Sequence, residues 1–516
     1  MTDVTPVDLI TAHAAANPDK IAVIDDRPGE EPRQLTFAEL DAYTNRIANG
    51  FLTLDVEPGS KVMWLGQNSI EVLACTHAAR KAGVISVPLN YRLTDDESTY
   101  VINNSDAEVI WADAAYAETL HRLTDRLEKV RAVAIFGGDP HPGSGQMTEA
   151  EFLGSDESPQ RDQSTSGTMI YTSGTTGNPK GAVRYEASSP DQGLAMLKLM
   201  QYGPGDVYVT CGPLYHSGPG GFAATAHRLG NTVVVQHKFN AEDWLRLIDK
   251  YSCSSTFSAP TPIRMVVNLD AEVKAKYDTS SMRIMVANAA PWPFALKEAY
   301  VQDFPPESLW EIYGSTEMGV NCILAPEDQL RKPNSCGKPA PLVEVCLFDA
   351  DGSEVTEVGE PGELYVRATS VFDTYYKAEE KYAADDRDGW HTVGDIAFRD
   401  DEGFLFICDR KSDMIISGGM NIYPAELESA LEQHPDIYEV AVIGVESEDW
   451  GETVLAIVVA NEGSGLDRDA VDAFAREKLA GYKLPRLIEF VDEIPKTGSN
   501  KILKRDLRNQ FAHLAS

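Results

Sequence analysis

The stretch YTSGTTGNPKGAV, Tyr171 to Val183, is the most informative in the chain. A strand-like lead, Thr168 to Tyr171, runs into a loop of small and hydroxylated residues. Gly174, Gly177 and Gly181 allow close backbone approach, Thr172, Ser173, Thr175 and Thr176 bring hydroxyls, and Lys180 brings one positive charge. Backbone N–H groups freed by glycines, with hydroxyl donors and a lysine, suit the oxygens of a phosphate. The spacing is not that of a Walker loop, which needs Gly-x4-Gly-Lys-Ser/Thr. The same composition also suits a plain surface loop.

Outward from this stretch, the chain alternates helical and strand-like periods. Thr36 and Glu39 have capping-box spacing ahead of an amphipathic run to Leu52, and Thr94 and Glu97 repeat it. Lys61 to Leu65 predicts a strand, Ser69 to Ala82 a helix closed by Gly83, and Val84 to Pro88 and Val109 to Trp111 further strands. Beyond the loop, Thr232 to Gln236 and Ser255 to Ser258 predict strands flanking a helix at Ala241 to Tyr251. This is βαβ logic and implies mostly parallel sheets. Gly138 to Ser166, rich in Gly, Pro, Ser and acids, predicts a surface connection. Between Gly337 and Asp400, short strands at Val343 to Phe348 and Glu363 to Val366 between Asp-Gly and Pro-Gly turns predict a small antiparallel barrel or meander. From Lys411 a compact α/β tail follows, with Pro424 opening a helix and strands at Val440 to Val445 and Leu455 to Val459.

A chain of 516 residues implies two or three domains. Its net charge of −35 repels phosphate backbones and anionic lipid, which argues against nucleic-acid or membrane-surface binding. The seven cysteines form no CxxC pair, which argues against a zinc site or disulfide framework and for a reducing cytoplasm. The N-terminus lacks the pattern of a signal peptide, and no run approaches 18 apolar residues.

Five further stretches carry chemistry: PLYHSG (Pro213 to Gly218), YGSTEMG (Tyr313 to Gly319), WHTVGDIA (Trp390 to Ala397), DRKSDMIISGGMNIYPAE (Asp409 to Glu426) and PKTGSNKILKR (Pro495 to Arg505). Tyr313 offers a flat face, Thr316 a hydroxyl, and Glu317 a hard oxygen ligand suited to magnesium beside phosphates. Asp395 ends an apolar strand, where a carboxylate can accept two ribose hydroxyls; it can equally be a turn acid. His216 and Lys501, taken singly, read as a structural histidine and a solvated lysine. Gly418 and Gly419 permit close approach of a ligand to a strand.

Taken in order, the six stretches resemble the adenylate-forming superfamily of acyl-CoA synthetases, peptide-synthetase adenylation domains and firefly luciferases. The likeness spans nearly the whole chain and is closest to acyl-CoA synthetases. It implies an α/β fold: a large N-terminal domain of two mostly parallel subdomains plus a small β-barrel (1–409), a hinge (410–412) and a small mobile α+β C-terminal domain (413–516). It implies ATP and magnesium as ligands, coenzyme A as acceptor, and ATP-dependent activation of a carboxylic acid to an acyl-adenylate. A homodimer is compatible with this.

By the same resemblance, ATP falls to Thr172, Ser173, Gly174, Thr175, Thr176, Gly177, Lys180, Asn288, Ala289, Ala290, Pro291, Glu311, Ile312, Tyr313, Gly314 and Ser315, with Asp395, Ile407 and Arg410 toward the ribose and nucleotide. Glu317 holds magnesium, Thr316 meets the α-phosphate, and Lys501 enters for the first half-reaction. The acyl pocket draws on Tyr215, His216, Ser217, Gly218, Ser258, Ala287, Asn288, Met318 and Gly319. The resemblance gives Ser417, Gly418, Gly419 and Met420 to the pantetheine tunnel and Ser412 to the hinge. His216 is not a general base, because a carboxylic acid is already ionised near pH 7. Three positions depart from the family pattern: Asn288 and Asn500 stand where glycine is usual, and Ser412 where Asp or Lys is. Asn288 points to a medium-length or bulky acid (branched, alicyclic or steroid-like) rather than a very long one. Transfer to an amine or carrier-protein pantetheine, a luciferase-like oxygenation and non-catalytic nucleotide binding are the competing functions.

Overall fold

The computed structural model describes residues 8–159, 161–172, 179–185, 191–290, 292–380, 382, 386–496 and 502–515. The chain divides into two compact units. One comprises Met1–Thr172, Pro179–Glu344 and Arg367–His391; the other is built on Val345–Val366 and Thr392–Ser516.

The first unit holds two large sheets. In one, strands run in the order Thr374–Tyr375, Lys180–Tyr185, Gly167–Thr172, Ile85–Leu89, Lys61–Leu65, Ala107–Asp113, Ala132–Phe136 and Met147–Thr148. Pairing is parallel from Gly167–Thr172 to Met147–Thr148 and antiparallel at the other edge. The helices between are delimited as their sequence predicts. Thr36 and Thr94 make reciprocal capping boxes with Glu39 and Glu97, and Ser69 caps Ile70–Lys81. That helix ends at Gly83, whose φ of +70° suits glycine alone.

The second sheet has nine strands: Lys338–Pro339, Gly319–Leu324, Leu309–Ser315, Ile284–Ala287, Ser255–Ser258, Val207–Thr210, Thr232–Val235, Ile21–Asp25 and Arg33–Thr36. From Leu309–Ser315 to Ile21–Asp25 it is parallel. Continuous apolar strands such as Ile284–Ala287, buried throughout, are what a sheet covered on both faces requires. Trp244, Trp292, Tyr300 and Phe304 pack one face, the last two stacked at 4.7 Å. Ligands of such sheets bind beyond the carboxyl ends of the parallel strands. Thr172, Ser258, Ala287 and Ser315 are the last residues of four of them.

In the second unit, Glu344–Phe348, Gly362–Arg367, Asp395–Arg399 and Leu405–Arg410 form one sheet in that order. The latter three are antiparallel neighbours, so of the barrel or meander expected there the segment forms an open antiparallel meander. A second sheet is dominated by the hairpin of Ile437–Ser447 and Gly451–Ala460, backed by helices Pro424–Leu431 and Arg468–Lys478.

Four local expectations are revised. Asp395 opens the strand Asp395–Arg399 instead of ending one. Lys180 begins a strand, its GAVRY leg having too few large residues to stand out from the loop before it. Gly138 to Ser166 is more than a connection: Met147–Thr148 adds an edge strand, and Thr148 with Glu151 forms a third capping box. Gly418 and Gly419 lie between strands Ile415–Ser417 and Met420–Ile422, with φ of +59° and +78°. They are the two-residue turn of a hairpin, which needs positive φ at both positions. Among the described residues no helix is long and apolar enough to cross a membrane, and all seven cysteines are free.

The first unit also buries a histidine pair. The carbonyl of Ala22 can only accept, so His227 Nε2 donates to it at 3.0 Å; His227 Nδ1 then accepts from His77 Nε2 at 2.9 Å. Burial pulls the His227 pKa from 6.5 down to about 4, helped by Arg80 and His13 and opposed by the Ala22 bond; His77 is also driven well down, by burial first and then by His227. A base whose folded pKa is depressed stabilises the fold above its unfolded pKa and loses that contribution as pH falls toward the folded value. For His227 the shift corresponds to about 3 kcal/mol. Thermal unfolding of His227→Gln is therefore expected to vary less than wild type between about pH 7 and pH 4.5. Parallel curves for the two proteins refute this.

Candidate active site

At the carboxyl edge of the first unit, Thr172 and Lys180 face each other in register at the ends of two paired strands. The residues between them that were assigned to phosphate, Ser173, Gly174, Thr175, Thr176 and Gly177, lie outside the described residues, as do Pro291, Asn500 and Lys501. Thr172 Oγ1 donates to Glu317 Oε1 at 2.9 Å, so the loop's first hydroxyl meets the carboxylate expected to hold magnesium.

Glu317 sits in the turn between Leu309–Ser315 and Gly319–Leu324. The turn is possible because of two glycines. A Cβ at Gly314 would lie 1.9 Å from the Gly319 carbonyl oxygen; at Gly319, where φ is +69°, it would meet Ser370 Oγ at 2.7 Å. Ser315 Oγ accepts from Met318 N–H at 3.1 Å, and Phe372 N–H donates to the Glu317 carbonyl at 2.7 Å. Thr316 Oγ1 and Ser217 Oγ are 2.9 Å apart, and Arg184 Nη2 donates to the Thr316 carbonyl at 3.1 Å. Both ends of the turn are thus tied to other segments.

Upstream, Glu311 lies on the buried side of its strand. It pairs with Lys297, itself buried, and its Oε1 accepts from Trp292 N–H at 3.4 Å. Burial raises its pKa against the opposing Lys297 charge. Ile312 is buried, and its carbonyl accepts from Asn288 Nδ2 at 2.6 Å. Asn288 Oδ1 in turn takes the N–H of Ala289, which holds a left-handed φ of +71°, and Ala290 is exposed. Asn288 therefore braces its loop against the strand leading to Tyr313, a half-buried side chain.

His216 precedes helix Ser217–Arg228 and lies 4.4 Å, ring to ring, from Tyr215. Tyr215 meets Tyr91 edge-on at 5.4 Å; its buried hydroxyl has no partner among the described residues, and burial raises its pKa to about 12. Gly218 has no room for a side chain, because the Phe257 ring would lie 2.2 Å from a Cβ. Ser258, Ala287 and Met318 are buried. Asn321, two residues after Gly319, is wholly buried, with neither amide atom bonded among the described residues.

In the second unit, Asp395 and Arg410 are paired across two strands, with Arg410 Nε 3.3 Å from Asp395 Oδ1. Ile407 belongs to the same strand as Arg410. Ser412 is exposed, and its carbonyl accepts from Arg508 Nη2 at 3.3 Å. Ser417 is buried and Met420 exposed, on either side of the glycine turn.

The donor set around Glu317 fits a divalent cation beside phosphates: a hard carboxylate with the Thr172 hydroxyl on it, in the same turn as the Thr316 hydroxyl. Bound there, magnesium would neutralise phosphate charge, and Glu317 is the residue that would hold it. Sequence reasoning missed Tyr375, whose hydroxyl donates to Glu317 Oε1 at 3.0 Å. Its strand is two residues long, too short for periodicity to reveal.

Fold and site define an α/β enzyme that activates a substrate with a nucleotide. Comparison with known proteins specifies it. The AMP-binding enzyme family matches residues 10–376, and the C-terminal domain of AMP-binding enzymes matches 426–501. The chain is similar to the indoleacetate–CoA ligase of Aromatoleum aromaticum, 34% identical over 98% of this chain and 97% of that one. The o-succinylbenzoate CoA synthetase of Bacillus subtilis with its acyl-adenylate is 28% identical, covers 98% of both chains and has a TM-score of 0.83. The amide bond synthetase McbA of Marinactinospora thermotolerans has a TM-score of 0.83 at 26% identity, covering 98% of this chain and 100% of that one. The chain belongs to the AMP-binding enzyme family and is an enzyme of the adenylate-forming, acid-activating class.

The Gly319→Ala variant tests the turn. Left-handed φ costs a side-chain-bearing residue at least ~1–2 kcal/mol before the Ser370 clash is added. The expected result is a lower unfolding midpoint together with slower ATP–pyrophosphate exchange; wild-type values in both contradict the close approach.

Proposed function

We propose that this enzyme is an AMP-forming acid–CoA ligase: it couples a carboxylic acid to ATP, releases pyrophosphate, and passes the acyl group from AMP to coenzyme A. The observation that carries the first step is Glu317, fixed by Thr172 at the carboxyl end of the parallel strands. The substrate carboxylate attacks the α-phosphorus in line. Thr316, Lys180 and the phosphate-loop residues Ser173 to Gly177 hold the phosphates while negative charge moves onto pyrophosphate. Lys501 is assigned the same task from the C-terminal segment, and Asp395 with Arg410 is assigned to the ribose. Support for coenzyme A as acceptor comes from the indoleacetate ligase and the succinylbenzoate synthetase, whose names state that chemistry. In the B. subtilis enzyme solved with ATP and magnesium, 27% identical to this chain, both expected ligands of this step are present. Ser412 is assigned the pivot between the half-reactions, and Ser417 to Met420 the approach of pantetheine. The free cysteines suit a reducing cytoplasm.

For the acid, we favour a bulky, ring-bearing one with a hydrogen-bonding group over a long plain chain. Tyr91 and Tyr215 supply aromatic walls, and the unbonded Asn321 amide and Tyr215 hydroxyl would find partners in a polar substituent. Apolar pockets separate single methylenes by only ~1–3 kcal/mol, so a range of acids is expected.

Two experiments test this. Thioester formation is measured across arylacetic, hydroxycinnamic, alicyclic, medium-chain and palmitate-length acids, with coenzyme A and with a competing amine. Ring-bearing acids and coenzyme A should be preferred. Preference for palmitate overturns the acid, and preference for the amine, which would match the amide-bond chemistry McbA is named for, overturns the acceptor. Lys501→Ala should lower ATP–pyrophosphate exchange by about 10²-fold or more, on the scale of a lost transition-state donor; undiminished exchange removes that lysine from the mechanism.

A further inference from the structure

Tyr375 comes from a part of the sequence that none of the six stretches includes, yet its side chain touches two of their charged residues. Its hydroxyl donates to Glu317 Oε1 at 3.0 Å, the oxygen that Thr172 Oγ1 reaches at 2.9 Å. Lys180 Nζ lies 5.6 Å from the centre of the Tyr375 ring, within reach of a cation–π contact. The ring cannot swing away easily. Its backbone pairs with Ala182 in the strand that starts at Lys180, and the next residue's N–H donates to the Gly181 carbonyl at 2.8 Å. Phe372 packs edge-on against it at 4.7 Å, while Phe372 N–H holds the Glu317 carbonyl. Backbone and side chain of Glu317 are therefore both anchored by the segment Phe372 to Tyr375.

Both hydroxyls converge on one carboxylate oxygen. Two donors on Oε1 fix the carboxylate's rotation and leave the lone pairs of Oε2, to which no described residue donates, for a cation. Groups that orient a metal ligand in this way change metal affinity by about 10–100-fold when removed.

We propose that Tyr375 is a positioning residue for adenylation: its phenol aims Glu317 at the magnesium of bound ATP while its ring steadies the Lys180 ammonium. This rests on the adenylation reading above. It adds a residue outside the six stretches that acts through two of their charged groups, Glu317 and Lys180.

The test uses the whole enzyme, with manganese as the probe and a non-hydrolysable ATP analogue bridged by methylene between its α- and β-phosphorus. Free manganese is read by electron paramagnetic resonance. Tyr375→Phe should weaken manganese binding in the presence of the analogue by about tenfold and slow ATP–pyrophosphate exchange. Affinity for the metal-free analogue and the unfolding midpoint should hold. Tyr376→Phe is the control: its hydroxyl donates to Asp106 Oδ2 at 2.7 Å, away from Glu317, and metal affinity should be unchanged. Thr172→Val removes the other donor to Oε1 and should shift manganese affinity in the same direction, which keeps the idea testable if Tyr375→Phe folds poorly. Wild-type manganese affinity in Tyr375→Phe, or in Thr172→Val where the first does not fold, overturns the proposal. So does an equal loss of metal-free analogue binding. A wild-type enzyme that binds no analogue with or without metal overturns the adenylation reading itself.

Discussion

Between Gly314 and Gly319 the two legs of a turn come so close that a methyl group on the first would lie 1.9 Å from the carbonyl oxygen of the second. That closeness fixes where Thr316 and Glu317 can be. A turn this tight has few backbone solutions, and here Ser370, Arg184 and Phe372 select one by bonding to the carbonyls of Met318, Thr316 and the N–H-bound carbonyl of Glu317. For the cation-holding role proposed for Glu317 such fixity matters, because a side chain that reorganises on binding gives up part of the interaction. The glycines provide the shape, and the three braces keep it.

The sequence shows this arrangement unevenly. Its parallel architecture follows from strand and helix periods and from capping residues, and the capping boxes at Thr36 and Thr94 are in the structure as their spacing predicts. Those signals are local: a hydroxyl and a carboxylate three residues apart make the same bonds in any context. The ordered motifs likewise single out Thr172 and Glu317, which share a hydrogen bond, and Asp395, which pairs with Arg410. What stays hidden is pairing between distant segments. Tyr375 reaches Glu317 only because Thr374–Tyr375 joins the edge of a sheet beside Lys180–Tyr185, and a two-residue strand leaves no periodic trace. The double glycine at 418 and 419 is visible, but a turn and a close approach need the same residue, and only the flanking pairing of Ser417 with Met420 decides for the turn.

Glu311 and Asn288 illustrate a different limit. Both flank the motif that carries Tyr313, and residue type alone cannot separate a group that meets a ligand from one that supports the wall behind it. Glu311 is committed to Lys297 and Trp292, and Asn288 to the Ile312 carbonyl. Breaking a buried pair such as Lys297–Glu311 by removing one partner strands the other charge, at a cost of about 3–5 kcal/mol. Substitution at these positions would therefore act on stability before it acted on binding.

The free cysteines have a practical consequence. Cys75, Cys211 and Cys253 are buried, and burial pushes all three thiols upward, Cys211 to about 12. Cys346 and Cys408 are raised as well, to about 11 and about 12, again chiefly by burial. Alkylating reagents need thiolate and access, and the buried Cys75, Cys211, Cys253 and Cys346 offer little of either while the chain is folded, whereas Cys408 is part-exposed. Each buried thiol becomes reactive only when its own surroundings open. Cys75, Cys211 and Cys253 are in the first unit and Cys346 in the second, so native buried thiols report the opening of each unit.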